Sequence, residues 1–151
     1  MNASIFIIAE THSLAKAVQT YLESMSARTP DCIAWTYGRD GIPGDRFRSA
    51  DLLILSLFGR DDLGYRAEGL ITAEKMVTAR RRVLLISGRA IASRIKCPYY
   101  WDLASADTLS ERVQSLLRMP PPTALDYVEL KEHFRDYIRP AMDRHRMLRK
   151  P

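Results

Sequence analysis

Short apolar runs alternate along this chain with segments whose apolar residues recur every three or four positions. Three of the runs, Ser4 to Ala9, Asp51 to Phe58 and Arg82 to Ser87, are rich in Ile, Leu and Val. A strand of a parallel sheet is buried between two helix layers, so it needs apolar side chains on both faces. The pattern predicts that these three runs are buried strands of a parallel sheet.

Two weaker segments complete the set of strands. Cys32 to Tyr37 is predicted to lie nearer an edge of the sheet, and Tyr99 to Leu103 is predicted to be the last strand. Strands that alternate with helices through short connections form βαβ crossovers, which place the strands parallel. We therefore expect the α/β class, with a doubly wound, five-stranded parallel sheet of the flavodoxin-like type.

The segments between the strands have the period of amphipathic helices. Ser13 is placed to cap a first helix that runs to Met25. Gly and Pro residues crowd the stretch from Gly38 to Gly44, which favours a loop over a full helix after the second strand. Further helices are predicted over Tyr65 to Ala79, Arg89 to Lys96 and Asp107 to Arg118.

Three consecutive prolines at positions 120–122 form a stiff break. We therefore predict an α/β domain over residues 1–119 and a C-terminal helical extension over residues 120–151. That extension could pack on the domain's own core, or it could pair with a partner protein or a second copy as an amphipathic helix in a groove. Its apolar stripe consists of Tyr127, Leu130, Phe134 and Ile138.

Composition and charge narrow the classes of function. The chain carries 23 Lys and Arg against 18 Asp and Glu, a net charge of +5, but the basic residues are spread along the sequence. No nucleic-acid-reading motif accompanies them, so nucleic-acid binding is disfavoured. The two cysteines and three histidines match no metal or redox spacing, and we expect no metal and no cofactor. Without a signal peptide or an apolar run of roughly 18 residues, a cytoplasmic location away from the membrane is expected.

Polar side chains occur at the predicted strand ends. Ligands and catalytic groups in open parallel sheets gather beyond the carboxyl ends of the strands. Ala9 and Glu10 end the first strand, and Ser56 ends the third. Ser87 ends the fourth strand, and Asp102 lies near the end of the fifth.

This arrangement resembles the receiver domain of bacterial response regulators over about residues 3–118. In that family two acids after the first strand hold magnesium, and an aspartate ending the third strand accepts a phosphoryl group. A glycine follows eight residues later, a Ser or Thr ends the fourth strand, and a Lys-Pro pair ends the fifth. Here Ser56 falls at the phosphoacceptor position with Gly64 eight residues later, Ser87 matches the switch hydroxyl, and Glu10 matches the second acid.

Three departures from the family pattern affect its chemistry. Ala9 replaces the first acid, and magnesium depends on carboxylate oxygens. Ser56 offers a hydroxyl where an acyl phosphate needs a carboxylate, and Asp102 with Leu103 replaces the Lys-Pro pair. The resemblance therefore implies a pseudo-receiver, a non-catalytic signalling or adaptor domain that is not phosphorylated on aspartate. The local alternative is that both serines satisfy nearby backbone groups and that Glu10 is simply solvated.

Protein contacts are the expected mode of action of such a domain. Receivers commonly engage partners through the face formed by their fourth and fifth elements, where this chain carries Tyr99, Tyr100 and Trp101. Exposed aromatics there would be candidate anchors for a partner. The same three side chains could instead be buried in the core.

The acidic residues that follow the third strand leave an enzymatic function as an alternative. Glu68 with Gly69 resembles a feature of nucleoside deoxyribosyltransferases, in which a carboxylate acts as nucleophile. The alternative hypothesis is a small flavodoxin-like enzyme on nucleotides or nucleosides that uses Glu10, Asp61 or Glu68. It requires Glu10 and Glu68 to lie within reach of one ligand.

Overall fold

The structure is a computed structural model that describes residues 3–25, 30–36, 44–57, 59–61, 64–66, 68–88 and 97–132. For 59–61, 64–66 and 68–71 the description covers the backbone alone. Seven strands lie in these ranges: β1 (Ser4–Ala9), β2 (Asp31–Thr36), β3 (Leu52–Ser56), β4 (Gly59–Asp61), β5 (Gly64–Arg66), β6 (Val83–Ser87) and β7 (Tyr100–Asp102).

Five of the strands form one sheet in the order β2-β1-β3-β6-β7, and every neighbouring pair is parallel. This confirms the predicted flavodoxin-like α/β fold and the edge position of β2. Within this sheet the chain adds β2 on one side of β1 and then β3, β6 and β7 on the other side. The strand order therefore reverses between β1 and β3, where parallel sheets open a crevice at their carboxyl ends.

The helices are α1 (His12–Met25), α2 (Gly44–Ser49), α3 (Glu68–Thr78), α4 (Leu109–Leu117) and a helix over 124–132, named α5. The cap of α1 is Thr11 rather than the predicted Ser13, because the Thr11 hydroxyl accepts the Leu14 amide at 3.1 Å. The predicted loop after β2 gives way, from Gly44 onward, to the short helix α2. The predicted helix at 89–96 lies outside the described residues.

A two-stranded hairpin was missing from the sequence prediction. The strands β4 and β5 pair antiparallel, with Gly59 opposite Arg66 and Asp61 opposite Gly64. The helix expected from Tyr65 therefore begins only at Glu68. Strands of three residues are too short to show the alternation that marks a strand in a sequence.

The sheet has an apolar core on each face. On one face α1 and α4 cover side chains such as Ile7, Ile54 and Leu84. On the other face α3 and α5 cover side chains such as Leu55 and Leu85. This double burial is the reason that the strand sequences are continuous apolar runs.

The C-terminal helix α5 packs on the domain itself. Tyr127 and Leu130 are buried in the same core as α3, β6 and Tyr100. Burial, followed by the nearby Glu74 carboxylate, raises the pKa of Tyr127 to about 12. Two apolar side chains of α5 point outward instead, since Leu125 is 68% and Val128 52% exposed. Phe134 and Ile138, the remaining members of the predicted stripe, lie outside the described residues.

In the part of the chain that is described, none of the helices has both the length and the apolar character required to cross a bilayer.

Candidate functional site

A depression of about 420 Å³ opens at the carboxyl ends of β1, β3 and β6. It lies on the side of the sheet that α1 and α4 cover, next to the point where the strand order reverses. Its polar side chains among the described residues are Glu10, Ser56 and Ser87. The wall also contains Gly88, Trp101 and the apolar side chains of Leu14, Val18, Leu57, Ile86, Leu103 and Leu109.

The register of the sheet places the two serines at the carboxyl ends of adjacent strands. Ser56 is opposite Ile86 in the β3–β6 pair, so Ser87 is the next residue along the neighbouring strand. The amide of Leu57 donates to the Ile86 carbonyl at 2.8 Å and extends this pairing beyond Ser56. Ser56 is only 3% exposed, which places it in the floor of the depression.

Glu10 lies at the junction of β1 and α1, directly before the capping residue Thr11. Its side chain is partly exposed and lines the depression. The preceding residue, Ala9, is fully buried in the core under α1. The methyl group of Ala9 supplies no ligand for a cation.

Asp102, which the receiver resemblance groups with the strand-end residues, has a different environment from Glu10, Ser56 and Ser87. Asp102 is 0% exposed and is not part of the lining of the depression. Its carboxylate accepts the Tyr100 hydroxyl at 2.6 Å and the Ala104 amide at 2.7 Å. Because alternate residues of a strand share a face, Asp102 follows Tyr100 to the opposite face, and Trp101 takes the side of the depression.

A network around Arg112 of α4 holds the β7 end of the site. The guanidinium donates to both carboxylate oxygens of Asp107, at 2.7 and 2.8 Å. It also donates to the carbonyls of Cys97 at 3.2 Å, Pro98 at 3.1 Å and Tyr100. Such two-pronged contacts fix both the position and the plane of the two groups.

The same network fixes the orientation of Trp101. Its indole Nε1 donates to the Asp107 carbonyl at 2.9 Å. The Arg112 side chain, hydrogen-bonded to the Asp107 carboxylate, lowers the pKa of that group below its usual value, although partial burial acts in the opposite direction. The indole that lines the depression is therefore held by the backbone of a residue whose side chain is fixed by Arg112.

The three aromatics proposed as partner contacts have different environments. Tyr100 is 1% exposed and belongs to the core, which is the buried alternative stated for it. Tyr99 and Trp101 are half-buried and pack against the core cluster under α1 and α4. Burial, followed by the Asp126 carboxylate, raises the pKa of Tyr99.

The remaining predicted residues lie on the segment after β3. Gly64 begins β5, opposite Asp61 at the end of β4. Glu68 is the first residue of α3, and its side chain is outside the described part of the structure. The lining residues that are described thus supply one carboxylate, Glu10, so the two-acid arrangement of the enzyme hypothesis stays a prediction.

Several lining residues were not singled out from the sequence as members of a pocket. Leu14 and Val18 come from α1, Leu109 from α4, and Gly88 follows β6. Leu103 is 71% exposed at the rim. Strand alternation from Tyr100 to Leu103 would have placed Trp101 and Leu103 together, opposite Tyr100 and Asp102.

Chemically, this site offers hydrogen bonding and apolar contact more readily than metal binding. In the described ranges, no three His, Cys, Asp or Glu side chains are grouped as metal ligands. One carboxylate and two hydroxyls face apolar walls, a composition typical of small-molecule pockets. No protein-family model matches the chain, and a search of curated proteins finds no significant match.

Proposed function

We propose that this chain is a pseudo-receiver, a non-catalytic cytoplasmic signalling or adaptor domain that acts through protein contacts. The observation that carries the proposal is the composition of the strand-end site. Ser56 ends β3 where a receiver has its phosphoacceptor aspartate, and Ala9 is buried where the first metal-binding acid would be. The flavodoxin-like fold is compatible with a receiver, and these two residues differ from the groups that aspartyl phosphorylation needs.

The physical reason is that the two lost carboxylates act together. Magnesium binds through several oxygen ligands and neutralises the charge that develops on a transferred phosphoryl group. With Ala9 in place of an acid, Glu10 is the one carboxylate left among the described lining residues. A serine hydroxyl also needs a neighbouring base to become a nucleophile. Phosphoryl transfer to this site is therefore not expected.

Exposed apolar side chains grouped on one surface are candidates for contact with another protein. Tyr100, Tyr127 and Leu130 are enclosed in the chain's own core. Leu125 and Val128 lie three residues apart on α5, so they share one outward face of the helix. We propose this face as the contact surface for a second copy of the chain.

Treatment with acetyl phosphate and magnesium, followed by intact-protein mass spectrometry, tests the loss of phosphorylation. We expect no added phosphoryl group under conditions that label an active receiver domain used as positive control. Stoichiometric labelling of the wild-type chain would contradict the proposal. Loss of that labelling in Ser56→Ala would further show that the end of β3 is chemically active.

Sedimentation velocity over a range of protein concentrations tests the contact surface. We expect the wild-type chain to self-associate and the Leu125→Lys, Val128→Lys double variant to sediment as a monomer. The matched control is Lys16→Glu, a change of charge at an exposed position on α1, which packs on the opposite face of the sheet. If all three chains remain monomeric at every concentration, self-association through this face is excluded.

A further inference from the structure

The depression at the strand ends has the size and composition of a ligand site, whether or not the chain takes part in signalling. Its volume of about 420 Å³ falls within the range of roughly 300–1,000 Å³ that is typical of small-molecule pockets. It also lies beside the reversal of strand order between β1 and β3, where open parallel sheets bind their ligands. The location and the size of the depression are therefore both those of a ligand-binding site.

The apolar part of the wall favours a ligand with a flat, apolar body. Leu14 and Val18 of α1 lie on one side, and Trp101 belongs to the β7 side. The indole is held by its Nε1 hydrogen bond to the Asp107 carbonyl at 2.9 Å. An aromatic ring that is already held in place loses little conformational freedom on stacking, so it is a good wall for another ring.

The polar part of the wall favours a ligand that donates hydrogen bonds and carries positive charge. Among the described lining residues Glu10 is the charged one, and it sits partly exposed on the β1 side. The neighbouring anion Asp102 is turned away into its own hydrogen bonds, and the cation Arg112 is engaged with Asp107. A single carboxylate beside an apolar wall attracts a cation and repels an anion.

We infer that the strand-end depression binds a small molecule with a planar apolar ring and an amine- or amidine-type group, the ring lying against Trp101 and the N–H donors reaching Glu10. Ser56 and Ser87 also belong to the lining of the depression. The inference does not depend on the proposed signalling role, and it assigns no reaction to the site.

Three ring compounds of similar shape and different charge test the inference: benzamidine, benzamide and benzoate. Each is titrated into the full wild-type chain while the NMR signals of the Gly88 amide and the Trp101 indole N–H are followed. We expect saturable shifts with benzamidine and about tenfold weaker binding of benzamide, the difference between a charge-assisted and a neutral hydrogen bond. Benzoate should give no saturable shift of these signals.

The Glu10→Gln variant then assigns the charge preference to one side chain. It should weaken benzamidine binding about tenfold while benzamide binding stays within about twofold. The matched control is Glu74→Gln, since Glu74 is exposed on α3 at the opposite face of the sheet. Its affinities should equal those of the wild type.

Three results would overturn the inference. Benzoate could bind as well as benzamidine, or none of the three compounds could shift the Gly88 and Trp101 signals saturably. Glu10→Gln could also weaken benzamidine and benzamide equally, which would assign the effect to a change of shape. The comparison of compounds on the wild-type chain decides the first two without a variant, and acetyl phosphate labelling has no bearing on any of them.

Discussion

The carboxyl ends of the parallel strands carry polar side chains in two different settings. At the end of β7, Tyr100, Asp102, Asp107 and Arg112 are bonded to one another and to backbone groups. At the ends of β1, β3 and β6, Glu10, Ser56 and Ser87 line a depression, in which Glu10 and Ser87 are partly exposed to solvent. The side chains around β7 hold one another in place, whereas those that line the depression can be reached by a ligand, although both groups lie at the same edge of the sheet.

The difference implies that substitutions at the two places have opposite consequences. A polar group inside a closed, buried network is costly to remove because its partners lose their hydrogen bonds without gaining water. A polar group at an open surface can exchange protein contacts for water at little cost. Changes at the β7 end should therefore affect stability, and changes around the depression should affect binding.

The largest effect is expected from Asp102→Ala. The Tyr100 hydroxyl and the Ala104 amide would both lose their acceptor at a site where Asp102 is 0% exposed. Since an unsatisfied buried donor costs about 1–3 kcal/mol, we expect the free energy of unfolding to fall by about 3 kcal/mol. Urea denaturation measures this change.

The control for that variant is Asp45→Ala, which removes a carboxylate that is 97% exposed. Its free energy of unfolding should stay within about 0.5 kcal/mol of the wild type. If Asp102→Ala lowered the free energy of unfolding by less than about 1 kcal/mol, the hydrogen bonds at the end of β7 would not be important for stability. The contrast between the two settings would then fail.

The second effect in size is expected from Arg112→Ala. This side chain joins Asp107 to three carbonyls of the segment that enters β7, and it is only 18% exposed. We expect a loss of about 2 kcal/mol and a shifted NMR signal of the Trp101 indole N–H. Arg112→Lys sharpens the test because a single ammonium cannot replace the planar fork. Full rescue by lysine would contradict the proposed role of the fork.

A smaller change in the free energy of unfolding is expected when the pH is lowered, because Asp107 then becomes protonated. Arg112 lowers the pKa of Asp107 in the folded protein, so the folded state holds fewer protons than the unfolded state at acidic pH. The stabilisation from this pair, about 1 kcal/mol, is complete above the ordinary aspartate pKa of about 3.9. It is lost as the pH falls through the lower pKa of the folded state.

Denaturation between neutral pH and about pH 3 measures this dependence. Asp107→Asn should be less stable than the wild type at neutral pH, and the difference should shrink on acidification. A difference that stays constant over the whole range would show that ionisation of Asp107 does not contribute.

The sheet could be predicted from the sequence because its signal is local and redundant. Runs such as Leu52–Ser56 and Val83–Ser87 are apolar at successive positions, and only a strand covered on both faces uses that pattern. The edge position of β2 followed from its weaker apolarity, and its side chains are indeed largely half-buried. Burial on two faces leaves few alternative arrangements.

The site was only partly predictable because it depends on the face of the sheet to which each side chain points, and not only on the position of the residue in the sequence. Glu10, Ser56 and Ser87 were placed correctly at strand ends, and the sheet brings them together. Asp102 was placed at the right strand end but was assumed to face the pocket. The face of a strand residue is set by its register, and β7 is only three residues long. The contribution of α1 and α4 to the wall required the packing of distant segments.

The smallest effect on stability is expected at the depression itself. Glu10→Gln removes a charge that is partly exposed, so its free energy of unfolding should stay within about 0.5 kcal/mol of the wild type. Ser87→Ala removes a partly exposed hydroxyl and should cost at most about 1 kcal/mol. Urea denaturation of these two variants and of Asp102→Ala under the same conditions compares the depression with the network around β7 directly. A loss of about 3 kcal/mol in the free energy of unfolding of either variant would mean that the depression, like the end of β7, is a network that stabilises the fold. Its polar side chains would then be explained by stability and not by binding.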